Sequence, residues 1–462
     1  MDADAPITDD EIRALFEPVL TAPVALAVSG GVDSMALMHV AQRALALLPP
    51  SPGTLQHPDR PRLIVLTVDH GLRPGSAEDA AWVAVQAEAA GLPCRVLTWT
   101  GEKPTHGIQA AARAARYHLM HGALIEEARP FGGVERKLLT AHHCEDQAET
   151  FLMRLARGSG IDGLSAMQRV ARIPAAPVTD SACGAGVTVV RPLLDLPKSR
   201  LVATLREAGL EWREDPSNEQ ADFERVRVRK ALTSLSDLGI ASEAIARSAK
   251  RISRARSAIE RAAREAAHKC VAWHDGQFGS VPVDALCDFS EEIAIRILRL
   301  LISAYGGEAP DPQLSEIELL AERIRATSAR PWPARAATLG GCRLDWRPGG
   351  ELRVWREAGR VGLPTLQVLP GDQAVVWDRR FLLSAAAELD GPIEVRALDA
   401  AGWRALKAER PDLGKLRLPP GAATTLPGCW RGSVLLAVPG LPAPSSPLIR
   451  AEFLGARARP LI

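Results

Sequence analysis

The sequence predicts an α/β protein: an N-terminal domain built on a parallel sheet, a helical region after it, and a small C-terminal α+β or β-rich unit. Three observations carry that expectation. Between residues 23 and 208 short apolar β-type runs alternate with amphipathic helical patterns, the rhythm of parallel strands joined by crossover helices on both faces of a sheet. From about 222 to 268 the chain is rich in Ala, Arg and Glu at helical spacing. After Pro331, Pro and Gly become frequent and short strand-like runs appear.

Each element follows in order. VALAV (24–28) is an unbroken apolar run, and a helix is expected after it from about Ser34 to Leu48. LIVLTV (63–68) precedes an Ala-rich helix near 77–90, and CRVLTW (94–99) a helix around Gln109 to Glu127. KLLTAH (137–142) leads into a helix at 145–157, and VTVVRP (187–192) into one at 198–209. Asp215-Pro216-Ser217-Asn218 is turn chemistry and marks a boundary. Within 280–330, short helices and turns are expected, with IAIRILRLLISAYGG the clearest amphipathic piece. ATLGGCRLDW, LRVWRE, AVVW and SVLLAV supply strands to the tail. The expected domains are 1–217, catalytic; 218–345, a helical linker that contacts a partner; and 346–462, an accessory unit.

Composition limits what such a chain can do. It has 462 residues, too many for one ordinary domain, with 47% hydrophobic and 24% charged residues. A formal net charge of +1 shows no global basic bias, so nucleic-acid contacts would have to come from local Arg and Lys clusters. The seven cysteines include no CxxC pair, which argues against a disulfide framework, a zinc site or an iron–sulfur site. The N-terminus MDADAPITDDEIR is acidic and unlike a signal peptide. The most apolar stretch, Val24 to Leu48, contains Asp33, His39 and Arg43, which opposes a membrane span. A cytoplasmic protein is expected.

The most informative residues are Ser29-Gly30-Gly31-Val32-Asp33-Ser34, directly after VALAV and opening a helix. A Gly-Gly turn lets backbone approach an anion, and the helix N-terminus offers unpaired N–H groups and a favourable dipole. The serines add hydroxyl donors. Asp33 can hold Mg²⁺ or simply cap the helix, as it would in an ordinary strand–helix turn. No Lys follows the last Gly, so this is not a Walker A loop. The hexapeptide resembles the signature of the PP-loop ATP pyrophosphatases, which cleave ATP between the α and β phosphates and pass AMP to a substrate oxygen.

Four further segments narrow the choice. Val68-Asp69-His70-Gly71-Leu72-Arg73 ends the second strand, where ligands of parallel sheets bind. Gln109-Ala110-Ala111-Ala112-Arg113-Ala114-Ala115-Arg116-Tyr117 places Arg113, Arg116 and Tyr117 on one helix face. In His142-His143-Cys144-Glu145-Asp146-Gln147-Ala148-Glu149-Thr150, Asp146 and Glu149 lie three apart at a helix start. Both can point at the strand ends, or merely complement the helix dipole. The last segment is Arg191-Pro192-Leu193-Leu194, followed by Trp212-Arg213-Glu214-Asp215-Pro216-Ser217-Asn218 and Phe223-Glu224-Arg225-Val226-Arg227-Val228-Arg229. On a strand Arg225, Arg227 and Arg229 would align; on a helix only Arg225 and Arg229 share a face.

In order and combination these segments, over residues 24–230, resemble the tRNA(Ile)-lysidine synthetases. In that family the middle of the HHCEDQ motif is usually two aspartates, and here Glu145 replaces the first; Val226 stands where Asn is often found. The resemblance implies ATP, Mg²⁺, free L-lysine and a tRNA(Ile) with a CAU anticodon, with a homodimer as one assembly. It implies that the C2 oxygen of the wobble cytidine attacks the ATP α-phosphorus, and that the lysine ε-amine then attacks C2 and expels AMP. The carry-over gives Ser29, Gly30, Gly31, Val32, Asp33 and Ser34 as ATP-binding residues and Asp33 and Asp146 as Mg²⁺ ligands. Asp146 or Glu149 would hold the lysine ammonium, Arg113 would contact the lysine carboxylate or the nucleotide, and Asn218, Arg225 and Arg229 would contact tRNA. The rivals are a PP-loop tRNA thiolase, a GMP-synthetase-type amidotransferase and an inactive PP-loop binding module. They are disfavoured respectively by the missing CxxC pairs, the missing glutaminase signature, and the intact Asp33, Asp146 and Glu149.

Overall fold

The computed structural model describes residues 4–21, 24–49, 63–101, 103–104, 106–128, 136–173, 187–214, 224–328, 335–360, 362–372, 375–442 and 445–455. Asn218 lies outside the described residues. Packing divides the chain into two compact units, one up to Arg256 and one from Ser257 onward.

In the first unit the elements run α1 (Asp9–Phe16), β1 (Val24–Ala27), α2 (Val32–Leu47), β2 (Leu63–Asp69), α3 (Ser76–Ala89), β3 (Cys94–Thr98), α4 (Ile108–Ala128), β4 (Arg136–Leu139), α5 (Cys144–Ala156), α6 (Ile161–Leu164), β5 (Val170–Ile173), β6 (Val187–Val190), α7 (Lys198–Glu207), α8 (Glu224–Asp237) and α9 (Ser242–Cys270), whose last turns enter the second unit. The strand order is β3-β2-β1-β4-β6-β5. Strands β1 to β4 and β6 are parallel, and only the edge strand β5 is antiparallel. All five strands and the five helices expected to follow them are present, and among the described residues β5, α1 and α6 are additions.

Alternation along the strands makes two cores. Val24 and Leu26 of β1, with Leu63 and Val65 of β2, face a core closed by α1, α2 and α7. Ala25 and Leu66 point the other way and meet Met120, Ala123 and Leu124 of α4. A strand buried on both faces must be apolar throughout, which is why β1 reads as an uninterrupted run. A capping box between Thr8 and Glu11 starts α1. Arg200 of α7 then grips Glu11 with two hydrogen bonds, of 2.8 and 2.7 Å, and the carbonyls of Ala5 and Pro6.

The expected long helical region is two helices, α8 and α9, parted at Gly239 with φ +82°. Because α8 is a helix, Arg225 and Arg229 share a face and Arg227 does not. The second unit opens with a five-stranded antiparallel sheet in the order β7 (Ala272–His274), β8 (Phe278–Pro282), β11 (Glu351–Arg356), β10 (Cys342–Trp346), β9 (Arg335–Leu339). Its core is filled by α11 (Glu291–Tyr305) and α12 (Leu314–Ser328), after the short α10 (Val283–Asp288). Strand β8 runs into the 280–330 segment, where only short helices and turns were expected, and β7 lies just before that segment. Two small sheets complete the unit: β12 (Leu366–Val368), β15 (Ile393–Ala397), β16 (Pro427–Arg431) and β17 (Val434–Ala437) form one, and β13 (Val375–Trp377), β14 (Phe381–Ala385) and β18 (Ile449–Phe453) the other. With α13 (Asp399–Glu409) they make an α+β tail. Among the described residues no helix is long and apolar enough to cross a membrane.

Candidate active site

Strand order reverses direction between β1 and β4, and in an open parallel sheet the crevice at such a point, beyond the carboxyl ends of the strands, is where ligands bind. Here the segments that follow β1 and β4, Ser29–Ser34 and His142–Glu149, meet there. Gly30 has φ +88°, which calls for glycine, and a Cβ on it would press against Val83 Cγ2 at 3.2 Å. Gly31 caps α2 without a side chain, leaving the first-turn N–H groups to the crevice. Ser34 Oγ turns back on the loop: it donates to Gly31 O at 2.9 Å and accepts from Ser29 N–H at 3.1 Å. The result is a concave backbone cradle at a positive helix end.

Asp33, Glu145 and Asp146 surround one imidazole. His143 Nε2 lies 3.5 Å from both Asp33 Oδ2 and Asp146 Oδ2, and Nδ1 lies 2.8 Å from Glu145 Oε2. Burial alone would lower the His143 pKa, but Asp33, Glu145 and Asp146 outweigh it and raise it to about 10. His143 is therefore an imidazolium at neutral pH. Burial pushes the Asp33 carboxyl up, while His143, Lys198 and Arg229 together hold it below its ordinary value. Asp146 also accepts the His143 N–H at 3.1 Å, fixing the start of α5. Glu145 receives the Lys198 N–H at 3.1 and 3.0 Å, so this carboxylate caps α7 and orients His143.

Asp33 Oδ1 and Glu149 Oε2 are buried and have no hydrogen-bond partner among the described residues. A buried carboxylate oxygen left open is costly unless a ligand completes it. Glu149 is 2% exposed, and its other oxygen pairs with Arg229 of α8. Burial raises its pKa and Arg229 opposes that. Lys198 Nζ stands 3.8 Å from Asp33 Oδ2. Among the described residues there is no ready-made set of three His, Cys, Asp or Glu metal ligands. Mg²⁺ needs no such set, because it retains water and takes one or two carboxylates plus substrate phosphates. Asp33 and Asp146, with their Oδ2 atoms against one nitrogen and an open Oδ1 on Asp33, fit that role.

A second cluster borders the first. Arg113 lies over the Tyr117 ring at 5.3 Å, and Tyr117 bonds to buried Arg191. Burial, and then Arg191, Arg113 and Arg225, lower His142 to about 4 against the pull of Asp146, so His142 is neutral beside His143⁺. Arg113 and Arg225, expected from the sequence, thus gather around His142, as does Asp146, and Arg229 reaches Glu149. Sequence reasoning did not find Lys198, the imidazolium of His143 or the capping role of Glu145. The first of these was visible only as a Lys directly after RPLLDLP.

Residues 5–236 match the PP-loop domain family. The chain is 41% identical to the tRNA(Ile)-lysidine synthase of Rhodopseudomonas palustris over 70% of this chain and 86% of that one. It is 42% identical to that of a Methylobacterium species over 78% and 97%. With that of Ruegeria pomeroyi it shares 34% over 93% of this chain and 91% of the relative. A cradle of the expected sequence, a carboxylate helix beside it and relatives matched along most of both chains lead to one conclusion: the chain belongs to the tRNA(Ile)-lysidine synthase family.

Proposed function

We propose that this chain ligates free L-lysine to C2 of the wobble cytidine of a tRNA(Ile) with a CAU anticodon, at the expense of ATP, giving lysidine, AMP and pyrophosphate. The observation that carries the reading is the open Oε2 of Glu149: a buried carboxylate oxygen, aligned by Arg229 and close to the cradle, suits an incoming ammonium group.

In this reading the cradle of Ser29 to Ser34 holds the ATP phosphates, and Lys198, beside Asp33, offsets charge on the departing pyrophosphate. Asp33 and Asp146 would hold Mg²⁺, which when bound supplies counter-charge to the phosphates. Adenylation turns the amide-like C2 oxygen into a leaving group. Asp146 and Glu149 position the lysine amine, whose free pKa of about 10.4 means a proton must be lost before attack. Arg113 contacts the lysine carboxylate or the nucleotide through its planar fork. Asn218, Arg225 and Arg229 contact the tRNA, whose loop base must be splayed into the crevice. Residues 1–217 then act as the catalytic domain, with 218–345 and 346–462 as tRNA-contacting parts, and the reaction belongs in the cytoplasm.

The test is incorporation of radiolabelled lysine into unmodified tRNA(Ile) bearing CAU, with and without ATP. Labelling that requires both ATP and the CAU anticodon is expected. Pyrophosphate release stimulated by tRNA without lysine labelling would overturn the choice of nucleophile.

A further inference from the structure

Outside the residues used above, the segment Leu210–Glu214 runs against the phosphate cradle. Leu210 and Trp212 pack on the first core. Between Trp212 and Glu214, the Arg213 backbone N–H donates to Gly30 O at 2.9 Å, and a Cβ on Gly31 would lie 4.0 Å from the Arg213 carbonyl oxygen. The Arg213 side chain then crosses the face of Trp82 at 5.2 Å and ends on Asp79 Oδ1. Trp82 is the residue whose ring edge lies 3.6 Å from a Cβ built on Gly30. The other oxygen of Asp79 takes Arg73, from the loop after β2.

The consequence lies in the geometry of one peptide. In a trans peptide the C=O and the following N–H point in opposite directions. Gly30 O is drawn to Arg213, so Gly31 N–H faces away from this strap; it has no acceptor among the described residues. Free to rotate, as a Gly-Gly peptide is, this unit would spend its anion-binding donor on no fixed direction.

We propose that Arg213 is a positioning residue for ATP. Anchored on Trp82 and Asp79, it holds its own backbone N–H against Gly30 O and so aims the Gly31 N–H at the phosphates. The proposal rests on the reading of the cradle as an ATP site. Asp79, on which Arg73 and Arg213 converge, makes the strap and the loop after β2 one device.

The experiment is calorimetric binding of α,β-methylene ATP to the full chain, in the wild type, Arg213→Ala, Arg213→Lys, Asp79→Asn and the Arg213→Ala/Asp79→Asn double variant, each below its Tm. Arg213→Ala and Asp79→Asn are expected to weaken nucleotide binding about three- to ten-fold each, the range of one partly exposed charged contact. The double variant is expected to be no weaker than Arg213→Ala alone, Arg213→Lys to recover part of the loss, and KM for lysine to stay unchanged. Unaltered nucleotide affinity in Arg213→Ala, even with a lowered Tm, would make Arg213 purely structural and overturn the proposal. So would additive losses in the double variant. A wild type that binds no nucleotide would overturn the ATP reading itself.

Discussion

Carboxylates that sit among cations in this molecule are finished in two different ways. Asp378, in the second unit, is 0% exposed and every lone pair it offers inward is met. Oδ2 accepts from Arg356 Nε at 2.9 Å and Arg380 Nε at 2.7 Å, while Oδ1 accepts from the Glu308 N–H and Arg356 Nη2, both at 3.2 Å. Gly307, at φ +62°, leaves room for it: a Cβ there would be 2.3 Å from Oδ1. Asp33 and Glu149 each have one oxygen engaged and one buried and open. A saturated buried carboxylate joins parts of a fold, whereas a half-saturated one retains a cost that only a ligand relieves. The difference separates structure from chemistry without appeal to sequence motifs.

The largest expected effect breaks the comparison most directly. Asp33→Asn should cut tRNA-dependent AMP formation by at least about a thousand-fold, in the range of lost electrostatic stabilisation at a phosphoryl site, and leave stability within about 1 kcal/mol. Retained turnover would remove Asp33 from the mechanism. Asp378→Asn should do the reverse: a loss of about 3–5 kcal/mol, because two buried guanidinium groups lose their counter-charge, with kcat unchanged in the protein that remains folded. Urea unfolding of both variants, followed by the labelling assay, decides. Equal destabilisation by both would erase the distinction. Glu149→Gln sharpens it further, with KM for lysine expected to rise about ten- to a hundred-fold, the worth of one charge-assisted bond, and KM for ATP unchanged. A matching rise for ATP would assign Glu149 to the nucleotide instead.

What was readable in advance follows the same physics. Strands β1, β2 and β6 announce themselves as largely apolar runs because a sheet covered on both faces leaves few polar positions. Strand β5, VARI, is a four-residue antiparallel edge with Val170 exposed, and it carries no such signature. Strands β7 and β8 are three and five residues long, and β8 is stabilised by a partner far downstream, Gly279 opposite Val354; periodicity within a window cannot see that pairing. At the site, SGGVDS was legible because backbone shape dictates glycine. Lys198, His143⁺ and Arg213 were not, because each acquires its role from a neighbour brought close only by folding.

The smallest effect lies in the first unit at Glu11, a half-buried carboxylate whose oxygens are both taken by Arg200. Arg200, above all, with help from Thr8, holds its pKa at about 2 against a mild opposing effect of burial, compared with an ordinary 4.5. A carboxyl whose folded pKa is depressed stabilises the fold above its unfolded pKa, and that contribution fades as pH falls from about 4.5 towards 2. Because Glu11 keeps partial contact with solvent, screening holds the contribution at neutral pH to about 1 kcal/mol. Glu11→Gln should therefore lower Tm slightly at pH 7, and the deficit should shrink steadily as pH is lowered through the window from 4.5 to 2. A deficit that persisted undiminished towards pH 2 would mean that Glu11 acts through the geometry of its hydrogen bonds to Thr8 and Arg200, and not through its charge.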